Sequence, residues 1–145
     1  MANVTVRVSL FIAAPPERVW DFTQDWSRRA DWDPAIVAAE RIEAEPPAYR
    51  VRGAGGVRFV ARYKLYDRPR RTSLEMAEST SRLIGGGGGS WAYEPEGAGT
   101  NWTQNNTLTV KNAVLYTLLR PLLSWQLRRV TRAAMTKAKE LIEAG

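Results

Sequence analysis

The sequence contains neither cysteine nor histidine. The first absence excludes disulfide staples and thiolate nucleophiles. Together the two remove the usual nitrogen and sulfur ligands of zinc and the imidazole that titrates near neutrality. Long apolar runs are missing as well: nothing approaches the ~18 consecutive apolar residues of a spanning helix. Val8–Ala14 is too short and too alternating for a secretory h-region, so the expected location is the cytoplasm. Acidic residues are outnumbered, 15 against 21 basic, for a net charge of +6. Yet Arg7, Arg50, Arg52, Arg58, Arg62, Arg70 and Arg71 mostly fall where a strand turns alternate residues to water. A solvated basic face is therefore expected, and no nucleic-acid partner. No metal site and no cofactor are expected. Any chemistry would rest on carboxylates, Tyr, Lys, Arg or hydroxyls.

What is present is enough for a core. With 145 residues, 44% of them hydrophobic, a folded chain hides roughly 68–70% of the surface its unfolded form exposes. One domain over residues 1–145 is expected. Val4, Val6, Val8, Leu10 and Ile12 recur at every second position, which predicts a strand buried on one face. Pro15-Pro16-Glu17 opens a short helix through Val19, Trp20 and Phe22, since proline and an acidic residue both suit a first turn. A second short helix over 25–31 ends before Trp32-Asp33-Pro34. From Ile36 to Thr109 the period is close to two, predicting an antiparallel meander with strands at 36–44, 48–54, 56–67, 71–79, 82–93 and 99–110. In the strand at 56–67, Val57, Phe59, Ala61, Tyr63 and Leu65 share one face. The last thirty residues turn helical, with Leu119, Leu123, Leu127, Val130, Ala134, Ala138 and Leu141 spaced by three and four. Pro121 starts the regular part of this helix or kinks it. From Pro121 to Glu143 it would be about 35 Å long.

One strand, two short helices, six more strands and a long helix, together with several motifs, resemble the START-like (SRPBCC) helix-grip superfamily. The motifs are Ala14-Pro15-Pro16-Glu17-Arg18-Val19-Trp20-Asp21-Phe22, Trp32-Asp33-Pro34, Asp67-Arg68-Pro69-Arg70-Arg71, and Tyr93-Glu94-Pro95 with Gly99-Thr100. The resemblance covers essentially the whole chain and is to the polyketide cyclase/dehydrase and lipid-transport type. It implies an α+β helix-grip fold, a seven-stranded curved antiparallel sheet wrapped around the C-terminal helix. It also implies a cavity between sheet and helix that accepts an apolar or amphipathic small molecule. Fold alone does not say whether such a ligand is bound, carried or transformed.

Alternation places Trp102, Gln104 and Asn106 on the inner face of the last strand, and a 100° wheel puts Gln126 and Lys137 in the stripe of Leu119, Leu123 and Val130. The expected binding residues are Phe59, Tyr63, Met76, Trp91, Trp102, Leu119, Leu123 and Val130 as apolar wall. Gln104, Asn106 and Gln126 would orient a carbonyl or hydroxyl. Alternatively these amides pair with backbone or each other, and Lys137 snorkels past the sheet end. Gly85–Gly89 lacks the Lys-Ser/Thr ending of a phosphate loop. It either leaves room for a ligand or forms a flexible strand. Glu17, Asp21, Asp25, Asp31 and Asp33 are explained by capping and by pairing with Arg18, Arg28 and Arg29. On the outer side of the long helix, Leu118, Trp125, Arg128, Arg129 and Arg132 group together. They could form an internal cation–π cluster, a homodimer contact or a transient membrane-surface anchor.

Two functions from different classes follow. The first is a binding or carrier protein for a lipid, isoprenoid, quinone or polyketide, with no catalytic residue. The second is a polyketide cyclase/dehydratase-type enzyme in which Tyr63, Gln104 or an arginine assists enolisation. An interaction module acting through the basic face is a third reading.

Overall fold

The computed structural model describes residues 2–145. Seven antiparallel strands form one sheet: β1 (Asn3–Ile12), β2 (Ile36–Ala44), β3 (Pro47–Gly53), β4 (Arg58–Asp67), β5 (Arg71–Ala77), β6 (Ile84–Glu96) and β7 (Gly99–Val110). Their order is β1-β7-β6-β5-β4-β3-β2. The chain leaves one edge after β1 and returns to it strand by strand. Between β1 and β2 lie α1 (Pro16–Thr23), a 3₁₀ turn (Trp26–Arg28) and the single-turn α2 (Arg29–Trp32); after β7 comes α3 (Ala113–Ala144). This is the α+β helix-grip architecture expected from the sequence.

Sequence and structure differ in β4, in β6 and at the start of α3, each for a local reason. The face assigned to β4 reverses after Tyr63, where the pairing with β5 shifts register. A bulge turns the alternation over, so Leu65 is exposed, and Tyr66, though also partly exposed, lays its ring edge-on against Tyr63 and Trp20. Strand β6 continues past residue 93 through Pro95. Its neighbour β5 pairs with it only as far as Ala92, so the missing proline N–H faces no strand on that side. Helix α3 starts well before Pro121, because the Asn112 side chain accepts from the backbone N–H of Val114 and Leu115 at 2.9 and 3.1 Å. Pro121 lies inside the helix on its exposed side.

The buried line of α3 is Thr131, Ala134, Met135, Ala138 and Ile142. It sits about 65° around the helix from the leucine stripe read off the sequence, at ~100° per residue. The cause is the seat of the helix along edge strand β1. The Tyr116 hydroxyl, an Arg128 Nη and the Lys139 ammonium donate to the carbonyls of Asn3, Arg7 and Phe11 at 3.2, 3.0 and 2.8 Å. These are carbonyls that β7 does not take, and covering them blunts a sheet edge.

Two clusters fill the interior. One joins Val8, Ile12, Trp20, Trp32, Trp91, Tyr93 and Trp102 to the C-terminal half of α3. The other joins Trp26, Ile36, Val51, Ala61 and Tyr63 beneath the short helices.

Candidate functional site

A partly open cavity of about 200 Å³ lies between the sheet, α2 and the middle of α3. At ~30 Å³ per water it would hold about seven water molecules. A second hollow of about 210 Å³ adjoins it across Ala35, Phe59, Met76 and Leu108 and runs toward Gly53, Ser79 and Ile84. Strands β4 and β5 supply Phe59, Ala61, Leu74 and Met76, and α3 supplies Leu127, Val130, Thr131 and Ala134 as the roof.

The structure brings together Phe59, Met76, Trp91, Gln104, Asn106 and Val130 of the residues expected from the sequence. Tyr63, Trp102, Leu119, Leu123 and Gln126 lie outside this wall. Tyr63 is buried on the other side of α2, where its hydroxyl donates to Gln24 Oε1 and accepts from Trp26 Nε1 at 3.0 Å. Trp102 is fully buried against Trp32, Trp91 and Tyr93. Leu119 and Leu123 are half-buried nearer the start of α3, and Gln126 is exposed, as the rotated seat of the helix requires.

The amides are held in a fixed order. Trp91 Nε1 donates to Asn106 Oδ1 at 3.0 Å; Asn106 Nδ2 donates to Gln104 Oε1 at 2.8 Å and to Thr131 Oγ1 at 3.2 Å. Gln104 Nε2 then has no acceptor, and neither does the indole nitrogen of Trp32, another wall residue. Each buried donor left this way costs about 1–3 kcal/mol.

The α2 segment contributes what the sequence reading missed. Arg29 is buried, and its guanidinium lies 4.6, 4.8 and 4.8 Å from the ring centroids of Trp26, Trp32 and Trp91. Its Nε donates to Asp33 Oδ2 at 2.9 Å, while Asp33 Oδ1 accepts from the Ala35 N–H at 3.1 Å. The Nη atoms have no acceptor among the described residues. Both Arg29 and Asp33 line the cavity. The signal was an Arg between Trp26 and Trp32 with an Asp four residues after it, which a surface helical pair would also give.

Gly88 and Gly89 form part of the wall. A Cβ on Gly88 would come within 2.5 Å of the Leu74 carbonyl oxygen, and one on Gly89 would lie 3.0 Å from Asn106 Oδ1 and 3.2 Å from Trp91 Nε1. These glycines permit close strand approach and protect the Trp91–Asn106 bond, which corrects the idea that their missing side chains simply leave space.

Among the acidic residues, Asp25 caps the 3₁₀ turn and faces Arg28, while Asp21 pairs with Arg68 rather than Arg18. Arg18 instead donates to the Ile142 carbonyl near the end of α3. No group of three or more acidic, His or Cys residues placed to hold a metal occurs among the described residues. Burial pushes the phenols of Tyr63 and Tyr93 well above the usual tyrosine range. Gln24 bridges them, donating from Nε2 to the Tyr93 hydroxyl at 2.7 Å. The Ala13 N–H and Lys139 hold the Glu143 carboxyl below its ordinary value.

Residues 3–143 match the family model described as polyketide cyclase/dehydrase and lipid transport. Similar solved structures include TTHA0849 of Thermus thermophilus, with a TM-score of 0.81, 23% identity and 97% of each chain covered. The Zhui aromatase/cyclase of Streptomyces sp. R1128 has a TM-score of 0.81 at 20% identity, over 97% of this chain and 94% of that one. A START superfamily protein of Mycobacterium smegmatis follows with 0.73 at 16%, over 94% and 98%. No curated protein gives a significant match. At these identities the solved structures speak for the fold.

Proposed function

The chain belongs to the polyketide cyclase/dehydrase and lipid transport family, and on that premise we propose that it binds a compact hydrophobic or amphipathic molecule in the cavity beneath α3. Lipid, isoprenoid, quinone and polyketide fragments all have the required character. The observation that carries the reading is a surplus of donors in an otherwise apolar wall. The Trp32 indole and Gln104 Nε2 are buried without an acceptor, and Arg29 spends only its Nε, on Asp33. A matching ligand therefore pairs an apolar, ring-sized body with an acceptor oxygen, held by Arg29 and Gln104. The indoles hold the guanidinium in place before any ligand arrives, so little ordering cost falls on binding.

Binding is favoured over cyclase-type catalysis. Arg29 and Asp33, the two ionisable wall residues, are tied to each other, and Tyr63 is committed to Gln24 and Trp26. A proton-transfer role needs a titratable group free to reach the ligand.

The test is tryptophan-fluorescence titration with 2-naphthoate and with naphthalene. We expect 2-naphthoate to bind about tenfold tighter or better, as a charge-assisted hydrogen bond allows. The advantage should vanish in Arg29→Met/Asp33→Asn, which removes both charges and leaves neither buried alone. Equal affinity for the two probes would refute the donor-surplus argument, and failure of both would refute the cavity as a binding site. Native mass spectrometry of freshly purified protein, followed by organic extraction, reads the ligand class directly.

A further inference from the structure

The first half of α3 contributes nothing to the buried core, whose α3 members begin at Thr131. Opposite its inner side runs an exposed apolar line: Val114 at 68%, Leu118 at 71%, Leu122 at 57% and Trp125 at 55% relative exposure. Arg129 and Arg132 continue the same line toward the C-terminus, with the Arg129 guanidinium 5.3 Å from the Trp125 ring centroid. A contiguous apolar strip of this kind marks an interaction surface rather than scattered exposure.

Charge selects the partner. No Asp or Glu occurs between Glu96 and Glu140, whereas Lys111, Arg120, Arg128, Arg129, Arg132, Lys137 and Lys139 lie in that stretch. None of the first five has a carboxylate within ion-pair distance among the described residues. A second copy of this face would bring more arginine and no acid, setting like charges against each other across the contact. An anionic lipid surface supplies phosphates for the arginines and an acyl boundary for Leu118, Leu122 and Trp125.

We propose that the outward line of α3 from Val114 to Arg132 docks on an anionic membrane surface. The helix lies in the interface without crossing it, and no helix here is long and apolar enough to span. Leu127 and Val130 roof the cavity on the inner side of the same turns. Docking therefore sets the cavity beside the lipid from which an apolar guest would partition. The surface stands on its own observations and holds whether or not the cavity is loaded.

Flotation of the full-length protein tests it, with phosphatidylcholine vesicles containing phosphatidylglycerol against vesicles of phosphatidylcholine alone. The protein should float with the anionic vesicles, less so at high salt, and only weakly with the neutral ones. Leu118→Ser/Trp125→Ser should weaken binding about tenfold or more through lost apolar insertion. Arg129→Gln and Arg132→Gln should each weaken it about fivefold. Because all four side chains point to water, thermal unfolding of the variants should match the parent. The proposal is overturned if the parent does not float with anionic vesicles or if the variants float equally well. It is also overturned if the parent sediments as a dimer that Leu118→Ser/Trp125→Ser converts to monomer, since a second copy would then cover the strip.

Discussion

The two ends of the interior are built from the same sheet and the same helix, yet one is filled and the other is hollow. At the filled end Ala134 and Ala138 let α3 settle close to Trp20, Tyr93 and Trp102, with Met135 and Ile142 taking the remaining space. At the hollow end Phe59, Leu74, Met76, Leu127 and Val130 are only half-buried around the cavity. The hollow end is not loose everywhere, because its polar groups are fixed by the Trp91–Asn106–Gln104 chain and the Arg29–Asp33 pair. Rigid polar groups around an incompletely filled apolar space are what a binding site requires, since poor packing alone would leave the donors mobile.

The contrast can be broken most severely at Trp102. Trp102→Ala should cost about 3–5 kcal/mol, read as a fall in the urea midpoint, because four aromatic rings share that packing. Ala138→Leu, which adds bulk to the filled end, should cost about 1–3 kcal/mol by overpacking. Raising the pH weakens both buried clusters next. The phenols of Tyr63 and Tyr93 hold their protons above the ordinary tyrosine range, so the unfolded chain loses those protons first. Their contribution is complete below about pH 10 and declines as the pH rises past that value. Urea midpoints measured through the alkaline range should fall less steeply in Tyr63→Phe/Tyr93→Phe. The smallest effect belongs to Val130→Phe. Filling the hollow end with a ring should move stability by less than about 1 kcal/mol while abolishing 2-naphthoate binding in the fluorescence titration.

The order of elements and the alternation in β1, β4 and β7 made the fold legible, because a half-buried strand writes its inner face into the sequence at every second residue. Gln104 and Asn106 were placed in the wall by that rule alone. Leu65 was misplaced because a bulge leaves no mark in an apolar/polar pattern. Leu119, Leu123 and Gln126 were assigned to the wall from the most apolar line of α3. The helix follows its contacts with the β1 edge instead and turns part of that line away. Arg29 was hidden for a different reason. A guanidinium among three indoles is built from segments that meet only in the fold, with Trp26 and Trp32 on one side and Trp91 far along the chain.

The three donors from α3 onto β1 also restrict how the molecule can change shape. Tyr116, Arg128 and Lys139 grip carbonyls four residues apart along the strand, in the same direction along both elements, so sliding the rod lengthwise would break all three grips together. Admission of a bulkier guest must therefore come from rotation of side chains such as Leu127 and Val130, or from a pivot that lifts the leading turns while the trailing turns stay moored.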